Sequence, residues 1–203
     1  MKHFSVVVFD LGNVLIPFDY SKVISYVDAK RPGLGEQFMG FYKKNYHIHR
    51  DYERGNISDK DFVGTMLGAL DHIVEAEEFC KCFSEIFTVN EDVVALLPRL
   101  RKNYRLMLLS NTSHIHQQYG WGHYEFIKNF EKLFLSHEVN AVKPESKIYQ
   151  AVTNYTKLPP EEHIFIDDIA EYGDGAKKEG WDAIQFKGYD NLVAELQARG
   201  IKI

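Results

Sequence analysis

The feature that most constrains the fold is a run of four apolar residues, Val6 to Phe9, which ends at Asp10. β-Branched and aromatic residues without polar alternation are typical of a strand buried on both faces, as in a parallel sheet. Gly12 follows two residues after Asp10 and indicates a turn at the end of this strand. Because open parallel sheets bind ligands at the carboxyl ends of their strands, Asp10 is a candidate site residue.

Polar residues recur at three further places along the chain. Two groups follow the apolar runs 106–109 and 164–166, and a lysine precedes the helical pattern over 145–156. If these runs are parallel strands of one sheet, the residues that follow them meet at the same edge as Asp10. The residues are Ser110, Asn111, Thr112, Lys143, Asp167 and Asp168.

The spacing of the apolar runs predicts an α/β fold with a doubly wound, Rossmann-like parallel sheet. Helical patterns separate the later runs, whereas the interval between the first two is far too long for one crossover helix. We therefore predict a core domain over 1–16 and 91–203, with a small helical cap domain inserted over 17–90. The predicted strands span about 4–10, 104–110, 133–136, 163–167 and 183–187.

Composition excludes several classes of protein. A formal net charge of −5 argues against a nucleic-acid-binding protein, which typically has an excess of basic residues. Cys80 and Cys82 have no second pair, so the sequence predicts neither a zinc site nor a disulfide framework. No apolar stretch is long enough to span a bilayer, and Met1 leads almost directly into the first strand without a signal peptide. We expect a cytoplasmic protein with no membrane partner.

The four motifs, in order, closely resemble those of the haloacid dehalogenase-like (HAD) hydrolases. They read FDLGNVL, LLSNT, KPESKIY and FIDD, and the resemblance runs from Val6 to about Phe186. The sequences of these motifs are similar to those of the branch that contains bacterial α-glucose-1-phosphate phosphatase and the amino-terminal phosphatase domain of soluble epoxide hydrolases. This resemblance implies a phosphatase with Mg²⁺ as cofactor and a small phosphorylated metabolite as substrate.

The resemblance also implies roles for individual residues. Asp10 would be the nucleophile that forms an aspartyl phosphate. Ser110 would bind a phosphoryl oxygen with help from the backbone N–H groups of Asn111 and Thr112, and Lys143 would neutralise the shared negative charge. The alternative for Lys143 is a solvated surface lysine.

The Mg²⁺ ligands implied by the resemblance are a carboxylate oxygen of Asp10, the backbone carbonyl of Gly12, and Asp168. Hard oxygen ligands of this kind suit Mg²⁺. Asp167 could be a further ligand, or it could support the site from behind or cap a helix.

Two positions depart from the usual family pattern. Gly12 stands where many relatives carry an aspartate that protonates the leaving group, although the glucose-1-phosphate phosphatase shares this glycine. Asp19 could supply a compensating carboxyl, or it could cap the following helix. Tyr172 stands where many relatives carry Asp or Asn, which weakens the support around the metal.

Substrate selection is predicted to lie in the segment 17–90, which contains a cluster of charged residues and histidines. His47 and Arg54 are the candidate substrate-binding residues of this cluster, and the alternative is a solvated helix face. The other members of the cluster are His49, Arg50 and Glu53.

Three functions remain open on the sequence alone. The first is a Mg²⁺-dependent phosphatase acting on a sugar phosphate such as glucose 1-phosphate. The second is a 2-haloacid dehalogenase, which Asp168 disfavours because a further anion beside the nucleophile makes sense mainly with a cation between them. The third is a catalytically weak binding or regulatory protein, which Gly12 favours.

Overall fold

The computed structural model describes residues 3–203, so the first two residues of the predicted range 1–16 and the predicted lack of a signal peptide lie outside it. Five parallel strands form one sheet in the order β3-β2-β1-β4-β5. Each strand lies within two residues of its predicted position, and the predicted α/β fold with a parallel sheet is confirmed. The strands are β1 (Val6–Phe9), β2 (Arg105–Ser110), β3 (Lys132–Leu135), β4 (His163–Asp167) and β5 (Asp182–Gln185).

The apolar character of β1 follows from burial on both faces. Val7 and Phe9 pack into one hydrophobic cluster, whereas Val6 and Val8 pack into another on the opposite face. Because side chains alternate between the faces of a strand, helices on both sides of a sheet require apolar residues at every position. This explains the unbroken run from Val6 to Phe9.

The segment 17–90 is helical and has its own hydrophobic cluster, which includes Phe38, Phe62 and Phe83. Ser58 caps its fourth helix by accepting a hydrogen bond from the Asp61 N–H at 3.2 Å. The structure thus contains the predicted inserted helices, while the domain boundaries at 17 and 90 stay a prediction. The helices are α1 (Ser21–Lys30), α2 (Leu34–Lys44), α3 (Tyr46–Glu53), α4 (Asp59–Ala69) and α5 (Ala76–Ser84).

Among residues 3–203, seven further helices follow along the chain, and two of them begin shortly after candidate site residues. Helix α10 begins shortly after Lys143, and α11 begins shortly after Asp168. The helices are α6 (Glu91–Val94), α7 (Leu97–Leu100), α8 (His114–His116), α9 (Ser136–Val139), α10 (Ser146–Thr156), α11 (Ala170–Lys178) and α12 (Tyr189–Ala198). Short 3-10 or π turns cover Gln117–Trp121, Glu125–Asn129 and Pro160–Glu162.

The cysteines and the lengths of the apolar helices are described for residues 3–203. Cys80 and Cys82 are both buried, and their thiols are free. Within the same residues, no helix combines the length and the apolar character that crossing a bilayer requires.

Candidate active site

The strand order brings the predicted site residues to one edge of the sheet. β1 lies between β2 and β4, and Phe9 pairs with both Leu108 and Ile166. Asp10 therefore lies between the residues that end the two neighbouring strands, Ser110 and Asp167. Lys143 reaches the same place from the loop before α10.

Lys143 is the centre of this arrangement. Its side chain is 1% exposed, and its Nζ lies 2.7 Å from Asp10 Oδ1 and 2.6 Å from Asp167 Oδ2. The ammonium also lies 5.3 Å from the ring centroid of Phe165 and 5.0 Å from that of Tyr172. Lys143 is thus a buried lysine between two carboxylates, and the alternative of a solvated surface lysine is wrong.

Burial and mutual attraction set the ionisation of this pair. Burial raises the pKa of the Asp10 carboxyl, and the neighbouring Lys143 ammonium opposes that shift. Burial by itself would lower the pKa of Lys143, but the charges of Asp10 and Asp167 more than offset it, so the pKa of Lys143 is raised. The lysine is accordingly a permanent cation beside Asp10.

Three carboxylates could together hold a metal ion. Oxygen atoms of Asp10, Asp167 and Asp168 lie within 4.8 Å of one another. Asp168 is half-buried, and its Oδ2 accepts a hydrogen bond from Asn13 Nδ2 at 3.1 Å. Burial raises the pKa of Asp168. Such a set of hard oxygen donors fits Mg²⁺.

Both oxygens of Asp167 already have partners. Oδ2 pairs with Lys143, and Oδ1 accepts a hydrogen bond from the Ile169 N–H at 2.8 Å. The Gly12 carbonyl accepts one hydrogen bond, from the Val14 N–H at 2.7 Å, so it retains a second lone pair. This geometry favours Asp168 and Gly12 over Asp167 as metal ligands beside Asp10.

Ser110, which ends β2, and Asn111, which follows it, have different contacts. Ser110 is buried beside the carboxylates and lines the cleft. Asn111 instead holds the backbone of Lys143: its Oδ1 accepts from the Lys143 N–H at 2.8 Å, and its Nδ2 donates to the Lys143 carbonyl at 3.4 Å.

Thr112 is fixed within the fold. Its N–H donates to Ser136 Oγ at 2.9 Å, and its hydroxyl accepts from Trp121 Nε1 at 3.2 Å. The expectation that the Thr112 N–H helps to bind phosphate conflicts with this geometry, because that donor already has a partner.

Asp19, the candidate substitute for the acid missing at Gly12, and Tyr172, the second departure from the family pattern, have different surroundings. Asp19 is exposed, and its carboxylate accepts from the Ser21 N–H at 2.8 Å and from Ser21 Oγ at 2.6 Å. These contacts are with the first residue of α1, while the residue directly before that helix is Tyr20. Tyr172 is half-buried against Lys143 and lines the cleft.

A cleft between the sheet edge and the helical segment has two connected parts. The part that we name the carboxylate lobe is lined by Asp10, Lys143 and Asp168 among others. The part that we name the aromatic lobe is lined mainly by aromatic rings. They belong to Phe18, Tyr20, Tyr42, Tyr46, Phe87 and Trp121, with the imidazoles of His49 and His116. The residues that line both lobes are Gly12, Phe18, Tyr46, Glu53 and Asn111.

The predictions for His47 and Arg54 do not fit the structure. His47 is exposed, and Arg54 forms an ion pair with Glu145 at 2.6 Å; neither residue lines a lobe of the cleft. Other members of the same cluster line it instead, and they share one face of α3. These residues are Tyr46, His49, Arg50 and Glu53, at the helical spacing i, i+3, i+4 and i+7, a pattern that the sequence contained.

Glu53 is the buried end of this face. Its Oε1 lies 3.3 Å from His49 Nε2, and its Oε2 lies 3.0 Å from Arg50 Nη1. Burial would raise the pKa of Glu53, but the neighbouring His49 ring and the Arg50 guanidinium outweigh it and lower that pKa. The carboxylate is therefore ionised at neutral pH.

His116, from α8, is a site neighbour that the sequence did not single out. Its ring is buried, lines the aromatic lobe and stacks on Phe83 with 4.8 Å between centroids. Burial, together with the charge of His49, lowers the pKa of His116 to about 3. It is therefore a neutral ring at physiological pH.

Helix α3 is fastened directly to the loops that carry the site. Arg50 Nη2 donates to the Lys143 carbonyl at 3.3 Å, and the Ile115 N–H donates to the Tyr52 hydroxyl at 3.3 Å. Just beyond α3, Gly55 has a φ of 80°, and a Cβ there would lie 2.6 Å from the His137 carbonyl oxygen. Only glycine permits this close approach to α9 without a shift.

Comparison with known proteins identifies the family. Residues 4–180 match the sequence model of the haloacid dehalogenase-like hydrolases. The chain belongs to this family. The predicted superfamily and the predicted hydrolase class are thereby confirmed for this HAD hydrolase, while the finer branch stays a prediction.

Individual relatives agree with the family assignment. D-ribitol-5-phosphate phosphatase of Bacteroides thetaiotaomicron is 25% identical over 194 residues, which cover 88% of this HAD hydrolase and 90% of that protein. A HAD family enzyme of the same species, solved in complex with magnesium and inorganic phosphate, is 26% identical with a TM-score of 0.78; the match covers 91% of this chain and 94% of that one. L-2-haloacid dehalogenase of Xanthobacter autotrophicus, at 19% identity and a TM-score of 0.64, covers 98% of this chain and 85% of its own and shares the fold.

Proposed function

We propose that this HAD hydrolase is a Mg²⁺-dependent phosphatase that hydrolyses a small phosphorylated metabolite through an aspartyl phosphate on Asp10. The observation that carries the proposal is the buried Lys143 ammonium, 2.7 Å from Asp10 and 2.6 Å from Asp167, with Asp168 beside them. A fixed cation next to a carboxylate nucleophile suits an anionic substrate, because it reduces the repulsion between the two.

In the proposed reaction, a carboxylate oxygen of Asp10 attacks phosphorus, and the bond from phosphorus to the alcohol oxygen breaks. The released alkoxide takes up a proton from solvent. Water then attacks phosphorus and gives up a proton to solvent, and the bond from phosphorus to the Asp10 oxygen breaks, which releases inorganic phosphate and restores Asp10. Lys143 neutralises the charge held in common by Asp10 and the phosphoryl group. Ser110 donates a hydrogen bond to a phosphoryl oxygen.

Asp10, the Gly12 carbonyl and Asp168 are the residues proposed to hold Mg²⁺. When bound, the ion supplies charge neutralisation between the nucleophile and the phosphoryl oxygens. Asp167 and Asn111 act as positioning residues in this proposal, because one pairs with the Lys143 ammonium and the other holds its backbone.

The proposed substrate is a sugar phosphate or polyol phosphate, of which glucose 1-phosphate is one example. The relative named for ribitol 5-phosphate supports the polyol class. The aromatic lobe also supports it, since ring faces pack against the C–H groups of sugars. We propose that residues 17–90 form a cap over a core of 1–16 and 91–203 and that the cap selects this part of the substrate.

The dehalogenase alternative is disfavoured because Asp168 adds an anion beside Asp10 that a metal-free reaction does not use. A catalytically weak binding protein is favoured only by Gly12, since losing a general acid costs about 10²–10⁴ in rate. Both alternatives differ from the proposal in their response to a simple phosphate ester.

The test is release of inorganic phosphate from p-nitrophenyl phosphate with Mg²⁺, with a chelator, and with the variant Asp10→Asn. We expect turnover that requires Mg²⁺ and that Asp10→Asn abolishes without loss of folded structure, because the amide keeps the shape but is not a nucleophile. The variant must be checked for deamidation back to Asp. Full activity in chelator, or in a verified Asn variant, would refute the proposal.

A further inference from the structure

We propose that Glu53 binds a hydroxyl group of the substrate and thereby selects leaving groups that carry hydroxyls near the phosphate ester. The proposal rests on the proposed phosphatase function and assigns a specificity-determining residue to it. Its basis is the position of Glu53 in the cleft, its fixed geometry, and its unused hydrogen-bonding capacity.

Glu53 occupies the junction of the two lobes. It lines the carboxylate lobe together with Asp10 and Lys143, and it also lines the aromatic lobe. A phosphate ester bound at Asp10 must extend its alcohol part from the first lobe toward the second. Among the residues that line both lobes, Glu53 has the only charged side chain, and in this proposal it is the group that meets the atoms next to the ester oxygen.

Glu53 is held rigidly with respect to the reacting groups. His49 and Arg50 each contact one of its oxygens, at 3.3 and 3.0 Å. Arg50 also donates to the Lys143 carbonyl at 3.3 Å, which ties this part of α3 to the backbone of the site lysine. A preorganised acceptor of this kind binds a ligand group without the entropic cost of ordering a free side chain.

Several other polar groups of the aromatic lobe already have partners within the protein, whereas His49 Nδ1 is buried without a hydrogen-bond partner among the described residues. The hydroxyls of Tyr20 and Tyr42 lie 3.3 Å apart, and the Trp121 N–H donates to Thr112. His116 Nε2 lies 3.2 Å from the Phe83 carbonyl oxygen. An ionised carboxylate has about four acceptor positions, and the contacts of Glu53 with His49 and Arg50 occupy two of them.

These contacts favour a hydrogen-bond acceptor over a proton donor. Two cationic or N–H-bearing neighbours keep Glu53 ionised, so it has no proton to give to a leaving alkoxide. An alcohol O–H is the substrate group that complements such an acceptor. A hydroxyl bound equally in the substrate and in the transition state affects KM and leaves kcat unchanged.

The experiment compares three substrates in the wild-type protein and in Glu53→Gln. A pentitol phosphate and pentyl phosphate have the same carbon chain and differ in hydroxyl groups, and p-nitrophenyl phosphate has an acidic leaving group without aliphatic hydroxyls. Asp51→Asn is the matched control, since Asp51 lies on the same helix and lines neither lobe. Urea unfolding of each variant shows that the fold is kept.

We expect Glu53→Gln to raise KM for the pentitol phosphate about 10- to 100-fold with little change in kcat, in line with the loss of a charged hydrogen bond. Values for pentyl phosphate and p-nitrophenyl phosphate, and all values for Asp51→Asn, should stay near wild type. Loss of kcat on both alkyl substrates would make Glu53 a proton-transfer group, and equal losses on all three would make it structural. Either result, or no change at all, overturns the inference.

Binding provides a measure that does not depend on turnover. Calorimetric titration of the pentitol phosphate and pentyl phosphate into Asp10→Asn, with and without Glu53→Gln, should show the same contrast in Kd. If the wild-type protein releases no phosphate from any substrate but this contrast is present, the proposed phosphatase function fails while the assignment of Glu53 stands. If the contrast is absent, the assignment fails.

Discussion

Replacing the buried site lysine should destabilise the protein in a way that no surface lysine can match. In Lys143→Met, the carboxylates of Asp10 and Asp167 lose the ammonium that lies 2.7 and 2.6 Å away. Breaking a buried ion pair by removing one partner costs about 3–5 kcal/mol, because it leaves an uncompensated charge. With a urea m-value of about 2 kcal/mol/M, the unfolding midpoint should fall by about 1.5–2.5 M.

The assay is urea unfolding in chelator, since a divalent ion between the carboxylates would offset the missing ammonium. Lys147→Met is the control, because Lys147 is exposed four residues away and contacts only the Asn140 carbonyl among the described residues. Its effect should lie within about 0.5 kcal/mol of wild type. Adding Asp167→Asn to Lys143→Met should recover part of the loss, by a coupling of about 0.5–3 kcal/mol.

The destabilisation should also depend on pH. Burial already raises the pKa of Asp10 in the wild-type protein, and removal of Lys143 raises it further. A folded pKa above the unfolded value of about 3.9 destabilises the fold at every higher pH. The unfolded value is the same in both proteins, so the difference between variant and wild type depends on their folded pKa values and should shrink as the pH falls below the raised folded pKa of Asp10 in the wild-type protein. A Lys143→Met variant as stable as Lys147→Met, or a difference that grows on acidification, would refute this reasoning.

Three further predictions concern the metal, the leaving group and the helical segment. Asp168→Ala should weaken Mg²⁺ activation more than Asp167→Ala, for which we expect the roughly 10–100-fold effect of a supporting residue; equal Mg²⁺ titrations would contradict this. Gly12→Asp, whose Cβ would lie in ordinary contact with a neighbouring ring at 3.4 Å, should speed alkyl phosphates relative to aryl phosphates by up to about 10²–10⁴, measured in a leaving-group series. A wild-type series that does not fall with rising leaving-group pKa would mean that another acid is present. Gly55→Ala should lower the free energy of unfolding by more than Gly33→Ala does. Gly33 has a similar φ of 83° but open space around it, so Gly33→Ala should cost only the roughly 1–2 kcal/mol of a left-handed backbone. Equal losses in the two variants would show that the close contact at Gly55 is not rigid.

The core of the site could be predicted from the sequence because it lies at strand ends. The apolar run before Asp10 identifies a buried parallel strand, and the sheet edge then brings together residues that are far apart in sequence, such as Ser110 and Asp168. This prediction does not require knowledge of side-chain orientations or contacts. The positions of these residues therefore follow from strand order alone.

The details that the sequence missed depend on which way a side chain points. His47 has suitable chemistry but lies off the face of α3 that lines the cleft, and helical spacing from Tyr46 would have excluded it. Arg54 follows the last residue of α3 and pairs with Glu145, a contact that helical spacing does not predict. The hydrogen bond of the Thr112 N–H could not be predicted from the neighbouring sequence, because its acceptor, Ser136, follows a different strand. Local sequence contains no information on such a contact.

The contacts between α3 and the loops at the sheet edge limit how helical segments can be exchanged between family members. Arg50 contacts the Lys143 carbonyl, Arg54 pairs with Glu145, and Gly55 lies too close to His137 for any side chain. A helical segment grafted from another family member onto this core would meet a surface shaped for different neighbours. A chimera made to alter substrate range would therefore need residues 136–145 from the same donor as residues 17–90.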